Sequence, residues 1–284
     1  MTAKIIDGRA LAAEMRTELI GCTTALHDAG IHPCLLIVCI GDEPANASYV
    51  AMLERTARKV GIEVIVDYLP PDTSAQDVRE RLSRAAADDA IHGVLLQQPL
   101  PKHLSIRAIA DSMPLHKDVD GTHPTNQGHL AFGRQPEFVP ATPAAVMALL
   151  ERSPSWPLAG RRAVMIGRSA VVGLPVATLL IAQNATVTVL HRSSQSLQPY
   201  AKLAEVVIVA VGSPGLITGS MIAEGATVID VGTTPVDGEM KGDVDFESAF
   251  ETAGAITPVP GGVGPVTTMA LLRNVLKAAE AKLR

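Results

Sequence analysis

The feature that most restricts how this chain can fold is a series of short aliphatic runs separated by stretches of helical periodicity. They are Cys34–Ile40 (CLLIVCI), Glu63–Tyr68 (EVIVDY), Gly93–Gln97 (GVLLQ), Arg162–Gly167 (RAVMIG), Thr186–Leu190 (TVTVL), Glu205–Gly212 (EVVIVAVG) and Ala226–Gly232 (ATVIDVG). A run that is apolar at consecutive positions offers both faces of a strand to nonpolar surroundings. The arrangement that covers both faces is a parallel sheet with helices on either side. The intervening stretches fit it. Gly8 to Ala29 repeats Leu11, Met15, Leu19 and Leu26 at helical spacing until Gly30 stops it. Helices are also expected from about Pro44 to Val60, from Ser74 to Asp88, from about Pro143 to Arg152, from about Val171 to Gln183, and after Pro265. The fold class is α/β.

A chain of 284 residues is long enough for two cores, and a Pro-rich link from Ser153 to Leu158 precedes a second alternating series. The expected division is a first domain of residues 1–142, rejoined by a C-terminal helix at 265–284, and a second of residues 143–264. The second has the profile of a Rossmann-like, doubly wound nucleotide-binding domain. Aromatic residues make up only 3% of the chain against 47% hydrophobic, so Ala, Val, Leu and Ile must fill both interiors. From Pro99 to Pro143 the sequence turns rich in Pro, Gly, His and Asn and loses regular periodicity. Connections of that length are usually functional.

The net charge of −5, with no basic run, gives phosphate backbones no footprint, so no nucleic-acid partner is expected. The first residues lack a basic start followed by an apolar stretch. No apolar run approaches the ~20 residues that span a bilayer, so a soluble cytosolic protein without a membrane partner is expected. Cys22, Cys34 and Cys39 have no CxxC spacing and read as reduced core residues. His116, His123 and His129 share one loop region without helical ligand spacing or accompanying thiols, so no metal is expected.

The turn after Arg162–Gly167 reads Gly167-Arg168-Ser169-Ala170-Val171-Val172-Gly173-Leu174-Pro175. A glycine at the strand end allows a tight turn, the next helix points free N–H groups at phosphate, and Gly173 permits close packing. The motif is not GxGxxG, and alone it also describes an ordinary strand–turn–helix. About 24 residues past Gly167, where NAD-preferring sites carry a carboxylate for the ribose, stand His191, Arg192, Ser193 and Ser194. Arg192, with Arg168, suits a 2′-phosphate, which points to NADP. Gly212 and Thr233, at the ends of later strands, complete the cofactor candidates.

These motifs, with others in the same order, resemble the FolD family of methylenetetrahydrofolate dehydrogenase/cyclohydrolases. The likeness covers nearly the whole chain. It runs through Gly41-Asp42-Glu43-Pro44-Ala45 with Tyr49-Val50, Leu96-Gln97-Gln98-Pro99-Leu100-Pro101, Lys117-Asp118-Val119-Asp120-Gly121 with His123, Pro124 and Asn126, and Thr142-Pro143. It continues through Asp230-Val231-Gly232 and Thr257-Pro258-Val259-Pro260-Gly261-Gly262-Val263-Gly264-Pro265. The resemblance implies a folate-binding first domain, an NADP-binding second domain, a cleft between them and a homodimer. It also implies tetrahydrofolate one-carbon derivatives as substrates: 5,10-methylene-tetrahydrofolate is oxidised to the 5,10-methenyl form, which is then hydrolysed to 10-formyl-tetrahydrofolate. Tyr49 matches the tyrosine beside the pterin, Gln97 the active-site glutamine, and Asp120 the aspartate at the pterin's amino edge. Pro260, Gly261 and Gly262 belong to the loop that approaches the rings. Read without the resemblance, Asp118–Gly121 is a turn lacking the further oxygen ligands a calcium loop needs.

The pattern breaks at two places. The family carries a serine three residues before the tyrosine and a catalytic lysine four residues after it; here these are Asn46 and Leu53. Positions 49 and 53 lie one helical turn apart on one face, so the absent amine would have pointed beside Tyr49. Arg55 and Lys59 lie off that face, and Thr56 carries no charge. The oxidation is therefore expected to survive and the hydrolysis to be weak or lost.

Overall fold

The computed structural model describes residues 2–41 and 44–283, the side chains of residues 44–46 excepted. In chain order the elements are β1 (Lys4–Ile5), α1 (Gly8–Asp28), β2 (Cys34–Ile40), α2 (Pro44–Lys59), β3 (Glu63–Leu69), α3 (Ala75–Ala87), β4 (Gly93–Leu96), α4 (Ile106–Ile109), α5 (Pro124–Ala131) and α6 (Ala141–Glu151). They continue with β5 (Arg162–Ile166), α7 (Gly173–Ala182), β6 (Thr186–Leu190), α8 (Gln198–Ala201), β7 (Val206–Val209), β8 (Thr227–Asp230), β9 (Thr234–Val236), β10 (Glu239–Lys241), α9 (Phe246–Thr252), β11 (Ala255–Ile256) and α10 (Val263–Glu280). The chain divides into two compact units, Glu14–Ala141 with the residues from Thr268 on, and the residues up to Ala13 with Thr142–Thr267.

The first unit is built on a parallel sheet ordered β3-β2-β4. Every residue of β2 is buried, as its unbroken apolar sequence requires. On one face Leu36, Val38 and Ile40 pack with Val94 and Leu96 against Val78, Leu82 and Ala85 of α3. Burying a side chain of this size contributes about 1.5–3 kcal/mol. Helix α3 starts at a capping box, in which the Ser74 hydroxyl accepts the Asp77 N–H and the Asp77 carboxylate accepts the Ser74 N–H. It ends beneath Lys117, whose ammonium donates to the carbonyls of Ala85 and Asp88.

The second unit holds a parallel sheet ordered β1-β11-β8-β7-β5-β6. Strand β1 joins it because Lys4 and Ile5 pair with Ala255 and Ile256, two-residue strands too short to show a period in sequence. The β9–β10 hairpin is a further element that apolar periodicity does not reveal. Its signal is Asp237-Gly238, with φ of 52° and 83°, the left-handed pair that a two-residue hairpin turn demands.

The stretch from Pro99 to Pro143 is not the uninterrupted loop expected. It contains α4, α5 and two single 3-10 turns, each too short for a helical period to stand out. Helix α5 carries local start signals: Pro124 is in its first turn, and His123 Nδ1 accepts the Thr125 N–H. Cys34 and Cys39 are buried, but Cys22 is exposed on the outer side of α1, which corrects its reading as a core residue. Among the described residues no helix is long and apolar enough to cross a membrane.

Candidate active site

In the first unit, the sequence-predicted residues collect at the C-terminal end of β4. Gln97 follows the last residue of that strand, its N–H donating to Val38 O (2.9 Å) and its side-chain amide to Gln98 O (2.7 Å). A parallel bridge from Val94 to Asp118 lays the next segment alongside β4 and carries Asp120 in the same direction as Gln97. The approach is close enough that a Cβ on Gly93 would meet Val119.

Asp118 is the support for this segment. It is fully buried and accepts four hydrogen bonds: the Thr122 N–H and O–H (both 3.0 Å), the His123 N–H (2.8 Å) and the Asn126 amide (2.9 Å). Burial nonetheless holds its carboxyl above the usual range, the four donors offsetting only part of the lost hydration. Asn126, also fully buried, accepts the N–H groups of Glu137 and Phe138. From α10, Asn274 donates to the carbonyls of Val119 (2.8 Å) and Val139 (2.9 Å). Sequence reading took Asp118 and Asn126 only as motif letters and missed Asn274, which lies 155 residues beyond Val119.

Held this way, Asp120 is half-buried, and desolvation together with the neighbouring Asp118 pushes its pKa up to about 7 even though it accepts the Ala141 N–H. Tyr49 of α2 lies within its electrostatic reach. Burial and the charge of Asp120 raise the Tyr49 phenol, so it stays a protonated donor at neutral pH.

Leu53 is in the core. With Val50 and Ala57 it forms the inward stripe of α2, continued by Val60 just past the helix, each at most 2% exposed. The cations of α2 stand elsewhere: Arg55, Arg58 and Lys59 are exposed, and Arg58 pairs with Glu54 (2.6 Å). The Thr56 hydroxyl is committed to Met52 O (2.7 Å). The side chain of Asn46 lies outside the described residues.

In the second unit, the candidates gather at the C-terminal edge of the six-stranded sheet, where open α/β sheets bind their ligands. Gly167 and His191 follow the adjacent strands β5 and β6, tied by the Gly167 N–H to Leu190 O (2.9 Å). Gly167 has φ of 124°, and a Cβ there would collide with Ala210 O; a Cβ on Gly173 would collide with Gly167 O. Both positions require glycine. The expectation that the first turn of α7 offers free donors needs correction. The Ser169 hydroxyl accepts the N–H groups of Val172 (3.1 Å) and Gly173 (3.3 Å), and the Ser169 carbonyl accepts that of Leu174. Among the described residues of this turn, the N–H groups with no acceptor are instead those of Arg168, Ser169, Ala170 and Val171, in the loop before the helix. Arg168, Arg192 and Ser193 are exposed. The His191 ring accepts the Ser193 N–H (3.2 Å), and the Ser194 hydroxyl accepts the His191 N–H (3.0 Å), so this turn is shaped by its own side chains.

Thr233, Pro260, Gly261 and Gly262 come together around a cavity of about 170 Å³ that Arg9 and Asp230 also line. Arg9 was not anticipated from sequence, since nothing marks an exposed arginine at a helix start as special. The tight Gly167 turn, the unengaged amides beside it and the nearby arginines fit a dinucleotide.

Residues 6–120 match the family described as "Tetrahydrofolate dehydrogenase/cyclohydrolase, catalytic domain", and residues 140–283 match "Tetrahydrofolate dehydrogenase/cyclohydrolase, NAD(P)-binding domain". The chain is 48% identical over 286 residues to the bifunctional protein FolD of Roseiflexus sp. (strain RS-1), covering 100% of this chain and 98% of that one. The crystal structure of the bifunctional FolD enzyme of Campylobacter jejuni superposes with a TM-score of 0.95 at 39% identity, over 99% of each chain. The Trypanosoma brucei enzyme, solved with NADP cofactor and an inhibitor, gives 0.94 at 36% identity over 100% of this chain and 99% of that one. Matched in sequence and in fold along its whole length, this chain belongs to the tetrahydrofolate dehydrogenase/cyclohydrolase family.

Proposed function

We propose that this protein oxidises 5,10-methylene-tetrahydrofolate to the 5,10-methenyl form with NADP, and that hydrolysis to 10-formyl-tetrahydrofolate is weak or lost. The observation that carries the second half is Leu53, which sits fully buried in the inward stripe of α2 one turn from Tyr49. A lysine there would lay its stem along the same apolar surface and extend its ammonium toward the helix edge. Leucine keeps the packing and removes the amine, and no other cation of α2 lies on that face.

The two steps ask different things of the chain. When bound, the nicotinamide supplies the hydride acceptor. The protein's part in oxidation is to hold the rings close and exclude water, because the lone pair of the adjacent folate nitrogen drives hydride loss. In this reading Asp120 accepts from the pterin's amino edge, Tyr49 lies against the ring as aromatic surface and O–H donor, and Gln97 hydrogen-bonds the reacting end. Gly167, Gly173 and the amides of residues 168–171 receive the pyrophosphate. Arg168, Arg192 and Ser193 favour the 2′-phosphate, with His191 shaping their turn, and Gly212, Thr233 and Pro260–Gly262 complete the surface. Hydrolysis additionally needs an activated water and a group to move protons, which a tuned amine supplies and leucine does not.

The folate-binding domain in this reading is residues 1–142 with the C-terminal helix, and the cofactor domain residues 143–264, except that the residues up to Ala13, with β1, pack in the second unit. The protein acts as a homodimer. The open edge of the three-stranded sheet supports this, since β3 leaves Ile65 46% and Tyr68 60% exposed beside an unextended ladder. Light scattering of the Ile65→Lys variant tests it, an unchanged mass removing β3 from the interface.

Relatives named as bifunctional favour a second reading in which both steps are retained. Product analysis with 5,10-methylene-tetrahydrofolate and NADP separates the two. Methenyl accumulating in step with NADPH supports the loss, while 10-formyl product forming far above the enzyme-free rate overturns it. No NADPH at all would overturn the oxidation itself.

A further inference from the structure

Two glycines in the second unit are required by two carboxylates. A Cβ on Gly232 would run into the Asp243 carboxyl group, and one on Gly242 into that of Asp230. Both aspartates are buried, Asp243 completely. Asp230, the last residue of β8, accepts the N–H groups of Gly232 (2.9 Å), Asp243 (3.0 Å) and Val244 (2.9 Å). Asp243, positioned by that contact, accepts those of Val211 (2.6 Å), Gly212 (3.0 Å) and Ser213 (2.7 Å), just beyond β7. The two carboxylates thus tie together the loops that follow β7 and β8.

Three successive N–H groups converging on one point form an anion-binding concavity. This one lies beyond β7, across β5 from the His191–Ser193 turn that follows β6. A dinucleotide lying over the switch point of such a sheet spreads its two halves to the two sides. The chain fills the concavity with its own carboxylate, and the charge-assisted bonds hold it firmly.

Building on the reading of this unit as an NADP site, we infer that Asp243 is a positioning and specificity-determining residue for the cofactor. By occupying the amides of residues 211–213 it bars phosphate from that loop and confines the cofactor's phosphates to the amides of residues 168–171 and the arginines. It also fixes the exposed, side-chain-free Gly212 as a neutral surface for the uncharged half. A residue that only stabilised the unit would affect both halves of the ligand alike, whereas this role affects one.

Calorimetric titration of the full-length protein with NADP and with adenosine 2′,5′-bisphosphate, which lacks the nicotinamide half, tests the inference. Asp243→Asn turns an N–H donor toward the three amides and is expected to weaken NADP binding at least ~tenfold. Bisphosphate affinity should stay unchanged, and the KM for NADP should rise with little change in the KM for folate. Asp243→Glu keeps the charge but displaces the carboxylate, and it should give the same split if the asparagine variant does not fold. Ile222→Ala, a core truncation in the same unit, should lower Tm without the split. Unchanged NADP affinity in the Asp243 variants, equal losses for both ligands, or the same split in Ile222→Ala would each overturn the inference. Absence of NADP binding by the wild-type protein would instead sink the cofactor reading on which it rests.

Discussion

The two units build their functional edges with the same device and leave it in opposite states. In each, a buried aspartate gathers donors from a loop and places a second aspartate: Asp118 organises residues 122–126 and positions Asp120, and Asp230 organises residues 232–244 and positions Asp243. In the first unit the second carboxylate stays half-buried and titratable near neutrality. In the second it is closed onto three amides of its own chain. The difference suits the ligands proposed for the two units. A pterin edge offers N–H donors and calls for an ionised acceptor, whereas a dinucleotide is already anionic and calls for amides, arginines and neutral surface.

Removing the support tests this contrast most severely. Asp118→Ala strands the donors of Thr122, His123 and Asn126, and urea unfolding should show a loss of about 3 kcal/mol. A loss below about 1 kcal/mol would show that the loop does not depend on it.

Asp120→Asn should leave the loop in place but lower kcat/KM for the folate substrate ~100-fold, as expected when a charge-assisted acceptor becomes neutral. The pH dependence carries a definite sign. With a folded pKa of about 7 against an ordinary 3.8, the wild-type carboxyl becomes a competent acceptor only as pH rises through about 7, so kcat/KM should climb there. Over the same window the folded state binds more protons than the unfolded chain, so the contribution of Asp120 to stability falls as pH rises from about 4 to about 7. The asparagine variant should flatten both profiles; a climb that persists in Asp120→Asn would assign it to another group.

Leu53→Lys restores the amine at the edge of the first site. It is expected to raise methenyl hydrolysis at least ~tenfold over wild type, at a stability cost of about 1–2 kcal/mol for burying the longer stem. Hydrolysis that stays at the wild-type rate would mean that the amine alone does not limit it. The smallest effect is expected at the exposed rim of the second unit, where Arg192→Gln should weaken NADP ~tenfold and leave NAD unchanged. Equal losses for both cofactors would remove Arg192 from the 2′-phosphate.

Much of this architecture is legible without coordinates. The aliphatic runs located β2 to β8: β2, β4, β5, β7 and β8 are largely apolar because they are buried on both faces, while the edge strands β3 and β6 mix apolar with polar residues and stay partly exposed. Glycines at 167 and 173 marked the tight turn proposed for the nucleotide, because only glycine survives such approaches. Short elements escaped: β1 and β11 have two residues each, and their existence depends on each other and on β8 rather than on local preference. Helices α4 and α5 escaped because each is too short for a helical period to stand out. The roles of Asp118, Asp243 and Asn274 were hidden differently, since each acts on backbone groups brought near only by folding.

The sequence by itself determined the α/β class, the glycines of the candidate nucleotide turn and the arginines in place of a carboxylate after β6, while the amine missing at Leu53 was read from the resemblance to the family. The first three follow from residue type at fixed local spacing. Only the tertiary structure decided that Leu53 is core, that the first donors of α7 are already engaged, and that one of two similarly supported carboxylates stays open while the other is sealed. Those outcomes depend on burial and on hydrogen-bond partners tens of residues away, as with Asp243 and Val211 across 32 positions, and local sequence carries no record of such distances.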